Sequence, residues 1–385
     1  MAEISGSVAP GFEAVGAAFE LVVADSALGG AALCVLIDGA PVVDLQGGYA
    51  IPSANRRWTA STPSVLMSMT KGLIAIIVAR LVDEGSLDLD APVGRYWPEF
   101  GQAGKESITV RQVMAHRAGL SYPVDDISRD DIVAWDPVVH ILERQTPLWE
   151  PGSAHQYHAM TYGWLVGEVV RRITGLDIGT AFARLLAEPS AADAWLGLPA
   201  PRLPEVARVM PEPGFVLELP DVVPNADRIV RALTLGGGMP SHVGGEGTGL
   251  NDPLLQQALV PGGLGIGTAR ALATLWSAAI LPSAGTRPVS SAVLDDMTRI
   301  QSAGPPLWPL PGAGDESWGT GFQVPSIPMP FLGPTSFGHA GAGGQLSFAD
   351  REHRLGFGFL TNDLKVANDT RVPALIAALH DSLGR

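Results

Sequence analysis

Ser64-Val65-Leu66-Met67-Ser68-Met69-Thr70-Lys71-Gly72-Leu73 holds a serine and a lysine three residues apart, where an extended segment gives way to a long apolar run. On a helix, residues at that spacing share a face, so the Lys71 amine would stand beside the Ser68 hydroxyl. A serine hydroxyl is a weak nucleophile near neutral pH and needs an adjacent base. Lysine can serve only if burial lowers its pKa. The residues after it, Gly72-Leu-Ile-Ala-Ile-Ile-Val-Ala79, supply such surroundings. The plainer alternative is a helix-capping serine followed by a surface lysine. Chance is a weak explanation: with 24 serines and only three lysines (Lys71, Lys105, Lys365) against 22 arginines, about 0.2 such pairs are expected at random.

Working outward, the chain of 385 residues suits one large domain or two closely joined ones. A 46% hydrophobic, 17% charged composition describes a folded globular protein. The net charge of −14 argues against nucleic acid and anionic membranes as partners. Cys34 is the single cysteine, so there is no intrachain disulfide and no thiolate metal cluster. The start of the chain lacks a basic region followed by an apolar segment, and no run is long enough to span a membrane. A cytoplasmic protein is expected, with oligomeric state left open.

Residues 11–24 carry Phe12, Val15, Phe19 and Val22 on one stripe and predict a first helix. Ala32–Ile37 and Val42–Gln46 flank a turn at Asp38-Gly39 and predict a β-hairpin, with more extended chain at Arg57–Thr59. A helix follows from Ser68 to about Asp83. Thr109 with Gln112 forms a capping box, so a short helix should run to about His116. His116 is a catalytic candidate by residue type, but a helix-end histidine bonding local carbonyls is the simpler expectation. The stripe over 160–174 is a helix closed by Gly175, with Gly163 and Gly167 marking close packing; another helix covers about 177–187. From 188 to 266 proline and glycine obscure the pattern, and short helices should be hidden there, able to wall a pocket. Helices near 268–281 and 291–300 begin at Thr268 and Ser290. Gly319–Val324, Thr335–His339, Gln345–Ala349 and Leu355–Thr361 read as strands, and about 370–383 as a last helix. The expected division is therefore an α/β (α+β) lobe from 1–85 and 282–385, built on an antiparallel sheet, with 86–281 as a mainly helical lobe.

Two further stretches carry chemistry. In Glu150-Pro-Gly-Ser-Ala-His-Gln-Tyr157-His158-Ala159 a tyrosine stands in a turn ahead of a helix. Its phenol could share a proton with the lysine, or it could be a half-buried tyrosine with a bonded hydroxyl. His155 and His158 lack partners for a metal site. In Phe337-Gly-His339-Ala-Gly341-Ala342-Gly-Gly-Gln345, small residues between strands permit close approach of a ligand to the backbone, or form a plain turn.

Together these motifs resemble the serine β-lactamase and penicillin-binding-protein superfamily, and most of all the class C β-lactamase-like carboxylesterases called family VIII esterases. Ser68-Met-Thr-Lys71, Thr109 through Leu120, Pro151-Gly152 with Tyr157, and His339-Ala-Gly-Ala-Gly-Gly344 with Phe348-Ala-Asp350 follow the family order. The resemblance implies the β-lactamase-like fold, a mixed lobe beside an all-helical lobe with the site between them. It further implies Ser68 as acyl-accepting nucleophile and Lys71 and Tyr157 as acid/base pair. The main-chain N–H groups of Ser68 and Ala342 would form an oxyanion hole. His339, Gly341 and Ala159 are implied as pocket residues, and no metal or cofactor is implied. Two departures point to esters: Ala159 stands where the β-lactamases have an amide-binding asparagine, and His339 where they have a lysine. A small ester is the expected substrate, with β-lactam or amide hydrolysis as the alternative and a non-catalytic scaffold as a further one. No Gly-x-Ser-x-Gly elbow is present to suggest the other common esterase route.

Overall fold

The hairpin Gly30–Ile37 and Ala40–Ile51 turns at Asp38 and Gly39, both with positive φ, as an Asp-Gly turn between strands requires. In this computed structural model, which describes residues 3–384 apart from 27–28, 213–214, 216, 218, 221, 284, 310–313, 330 and 366–368, the hairpin joins a long sheet. Leu355–Thr361 pairs antiparallel with Gly30–Ile37, so the two ends of the chain build one layer. Ile4–Val8 extends the sheet on one side. Gln345–Asp350 and Ser336–Gly341 extend it on the other, followed by the short strands Gln323–Val324 and Ser317–Trp318. The expected α/β architecture on an antiparallel sheet thus stands as read.

One face packs against the helices Glu13–Asp25 and Arg371–Leu383 through Phe19, Leu375 and Leu379 onto Leu33, Val35 and Phe357. The other face carries Ala269–Ile280. Gly356 and Gly358 let that helix settle on the strand: a β-carbon at Gly358 would lie 2.4 Å from Ala269 O. The division at residue 281 therefore has to be corrected, because this helix packs on the sheet and not with the helical layer. A stripe shows that a helix buries a face, but not against which lobe.

Met69–Asp83 is buried almost all round. It is the central helix between the sheet and the helices beyond, notably Thr161–Thr174. Gly319–Val324, expected as one strand, is strand only at Gln323–Val324, with 319–322 forming the turn back from the strand Ser317–Trp318. The helix expected over 291–300 ends at Met297, and that over 177–187 is Ile178–Phe182 widening into a π-turn at Ala183–Ala187. Within 188–266, of which 213–214, 216, 218 and 221 lie outside the described residues, short helices occur at Ala200–Glu205, Ala226–Leu233 and Pro253–Gln257. The same region supplies Ala194–Leu196 and Gly265–Gly267, which with Ser64–Val65 make a small sheet just ahead of Ser68. Among the described residues no helix is long and apolar enough to cross a membrane.

Candidate active site

The small sheet fixes the approach to Ser68. Leu66 N–H donates to Gly265 O (2.8 Å), and Met67 then takes a left-handed conformation, φ 50°. Such a backbone is costly for a non-glycine residue and needs support. Thr70 provides it: its hydroxyl donates to Met67 O (2.7 Å) and accepts from Gly265 N–H (3.0 Å). The turn delivers Ser68 at the N-terminus of Met69–Asp83, where the helix dipole favours negative charge. The Ser68 side chain makes no capping bond, so the capping-serine alternative fails.

The surface-lysine alternative fails as well. Lys71 is completely buried, and its Nζ lies 3.1 Å from Ser68 Oγ while also donating to Gly262 O. Burial pulls its pKa from 10.5 down to about 7. Gly163 explains how the Gly262 carbonyl gets there. A β-carbon at Gly163 would lie 2.3 Å from Gly262 N, so only a bare helix surface admits the 261–263 segment. Gly167 packs likewise against Trp135.

Tyr157 stands half-buried beside the pair. The Lys71 Nζ sits 4.9 Å from its ring centroid and the ring stacks on Trp318, centroids 5.1 Å apart. Burial raises the phenol pKa above its usual value, which hydrogen bonding to Ser68 only partly offsets. His116 packs edge-on behind Tyr157 (4.9 Å). Its partner is not a local carbonyl, as expected, but the His158 N–H, which donates to His116 Nδ1 (3.2 Å). His158 in turn accepts Leu120 N–H at Nε2 (3.1 Å) and bonds Gln156 O at Nδ1 (2.7 Å). Burial keeps both histidines neutral. They brace the tyrosine loop, and among the described residues no metal-binding cluster exists.

The strand Ser336–Gly341 closes the other side. Gly341 passes so near the serine turn that a β-carbon there would sit 3.1 Å from Leu66 O, which brings Ala342 alongside Ser68. His339 Nδ1 bonds Ala340 O (2.7 Å), while its buried Nε2 has no protein partner among the described residues. Burial and the nearby Lys71 bring its pKa to about 3, so it is neutral. It cannot supply the positive charge of a lysine.

Ser68, Tyr157, Ala159, His339, Gly341 and Ala342 come together on the wall of one cavity of about 380 Å³, while Lys71, His116 and His158 stand outside its lining. Much of its remaining wall is apolar, with Phe215, Leu217, Leu233, Met239, Val243 and Leu250 all from the segment that carries no periodicity in sequence, while His155, Gln156, Glu316 and Gln323 add polar groups. Sequence reasoning missed these six, and also Gly262, Glu316 and Gln323. Nothing in the sequence signals them beyond the suspicion that 188–266 could wall a pocket.

The sequence profile of the β-lactamase family matches residues 15–381. The esterase/beta-lactamase LipL of Mycobacterium tuberculosis is 32% identical over 379 residues, covering 94% of this chain and 83% of that protein. A crystal structure of a family VIII carboxylesterase superposes with a TM-score of 0.86 at 35% identity, covering 99% of this chain and 100% of the other. A penicillin-binding-protein homologue from Caulobacter crescentus gives 0.87 at 34% identity, again over 99% and 100% of the two chains.

Proposed function

The chain belongs to the β-lactamase family, and we propose that within it this protein is a carboxylesterase working through a Ser68 acyl-enzyme. The observation that carries the reading is the buried Lys71 amine 3.1 Å from Ser68 Oγ. With a pKa near 7 it is substantially neutral at physiological pH and can accept the serine proton. Tyr157 is a poor base because its phenol stays protonated; it relays a proton in its neutral form.

Ser68 Oγ attacks the ester carbonyl as its proton passes to Lys71. The resulting oxyanion is held by the N–H groups of Ser68 and Ala342, aided by the helix N-terminus. The C–O bond to the alcohol breaks as the proton travels from Lys71 through Tyr157 to the leaving oxygen. Water then attacks the acyl-enzyme, giving its proton back along the same path, and frees the acid and Ser68.

Esters are favoured over β-lactams because the pocket presents neutral His339 and apolar Ala159 where β-lactam recognition needs a cation and an amide partner. The apolar wall suits a hydrophobic acyl or alkyl group. The name of the tuberculosis relative pairs esterase with β-lactamase, so β-lactam cleavage stays as the second reading.

The test is turnover of p-nitrophenyl esters of graded chain length and of nitrocefin by wild type and Ser68→Ala. Serine-dependent ester cleavage with little nitrocefin turnover is expected. Nitrocefin turnover at rates matching the esters would transfer the assignment to β-lactams. A folded wild type silent on both would favour amide hydrolysis, acyl transfer or a scaffold.

A further inference from the structure

One ionisable group in the pocket has no part in that mechanism. Glu316 lines the cavity with Tyr157, Trp318 and His339. Its Oε1 accepts a hydrogen bond from Gln323 Nε2 (3.0 Å), and Gln323 Oε1 accepts the Ala340 N–H (2.6 Å). The carboxyl is thereby tied to the strand that ends at Gly341, just ahead of Ala342. Among the described residues Gln323 is its one hydrogen-bond partner. Among the described lining residues it is the one carboxyl, and none is a lysine or arginine.

We propose that Glu316 is a charge filter on the substrate: it disfavours esters that carry a carboxylate and favours esters that carry an ammonium group. The inference rests on the esterase reading. A carboxylate in this apolar cavity meets a like charge with no counter-ion beside it, and the low dielectric amplifies the repulsion. An ammonium group meets its complement.

The groups around Glu316 leave it in control of the local charge. From the loop before Thr161 come His155, whose pKa is lowered by burial and by Arg117, and Tyr157, which stays protonated. The strand Ser336–Gly341 presents neutral His339. Asp315 adjoins in sequence and is exposed, and Arg228 lies over the Trp308 ring, 5.0 Å from its centroid. Lys71 stands behind Ser68 and loses its charge around pH 7. Burial likewise raises the Glu316 pKa to about 7, so the filter is weak in mild acid and strengthens as the pH rises. Lys71 titrates in wild type and Glu316 variants alike, so comparing them isolates the carboxylate.

The experiment measures kcat/KM for butyrate esters of three phenols bearing a meta methyl, carboxylate or trimethylammonium group. A second set places the corresponding groups at the acyl terminus. Wild type, Glu316→Gln and Glu316→Ala are compared at pH 5.5 and 8.5. At pH 8.5 both variants should raise the anionic-to-neutral ratio by about five- to fifty-fold and lower the cationic-to-neutral ratio. At pH 5.5 the difference from wild type should shrink to within about twofold. Equal ratios in all three proteins at pH 8.5 would overturn the filter. So would a wild-type ratio that does not change between the two pH values, which covers the case of variants that fail to fold. Failure of folded wild type to cleave the neutral ester is a different result: it removes the esterase reading and the filter with it.

Discussion

Replacing Lys71 by Met should abolish turnover and make the protein more stable. Lys71 is wholly buried, and its pKa falls from 10.5 to about 7. At ~1.4 kcal/mol for each tenfold change, keeping this lysine in the fold costs about 4–5 kcal/mol below pH 7, where it must fold as an ammonium. Methionine has nearly the same length and removes that cost. Against the gain stands the loss of the bonds to Ser68 Oγ and Gly262 O, about 1–3 kcal/mol for groups left without a partner. A net stabilisation of about 2–4 kcal/mol is expected at pH 6, about 2–5 °C in Tm for a chain of this size. The sign of the pH dependence is fixed by linkage. Between about pH 7 and pH 10.5 the unfolded lysine holds a proton that the folded one has lost, so wild type gains stability as the pH rises. The advantage of the methionine variant should therefore shrink by about 2–3 kcal/mol from pH 6 to pH 9. The assay is thermal or denaturant unfolding of both proteins at the two pH values, paired with the wild-type pH–rate profile. That profile should climb with unit slope in log kcat/KM and level off near pH 7. A stability difference that stays constant from pH 6 to 9, with a flat rate profile, would refute the premise that burial discharges Lys71.

In the proposed mechanism Tyr157→Phe removes the proton relay but not the nucleophile or its base, so the deficit should depend on the leaving group. Turnover of alkyl esters should drop ~10²–10⁴-fold, that of p-nitrophenyl esters much less; equal losses on both would rule out the relay role. Gly163→Ala places a methyl where a β-carbon would lie 2.3 Å from Gly262 N. Overpacking of this kind costs ~1–3 kcal/mol and should displace the Gly262 carbonyl from Lys71, lowering Tm and ester turnover together. Unchanged unfolding and unchanged kinetics would show that the 261–263 segment does not depend on a bare helix face.

What could be read from sequence depended on how far a contact reaches along the chain. Ser68 and Lys71 meet within one helical turn, so their partnership is legible in a four-residue window. The first hairpin was legible for a similar reason: Asp38-Gly39 marks a turn whose flanking strands pair locally. Tyr157 reaches the same serine from a remote turn; its place ahead of a helix made it a candidate, and only the likeness to a known family chose between the relay and a plain bonded hydroxyl. The apolar wall was illegible because Phe215, Leu217, Leu233, Met239, Val243 and Leu250 face a cleft. Apart from Leu233, at the end of a short helix, no sheet or helix surface imposes a period on them. His116 looked like a helix cap because its real partner, the His158 N–H, comes from another segment.

Amino-acid choice offered a further clue of a different kind. Of the three lysines, Lys71 and Lys105 are fully buried, whereas arginine takes most of the surface ion pairs, as in Arg202–Glu205, Arg354–Asp38 and Arg299–Asp296. Lys105 spends its burial on two carbonyls, Glu143 O (3.0 Å) and Gln145 O (2.6 Å), tying down the end of a helix. Lys71 sits 3.1 Å from Ser68 Oγ, the hydroxyl whose proton must move in the proposed mechanism. An arginine would fill the same place but hold its charge at any working pH, leaving Ser68 without a base. A chain so sparing with lysine therefore marks the position where a cation must be able to give up its proton, and Lys71 is the one whose neighbour can use it.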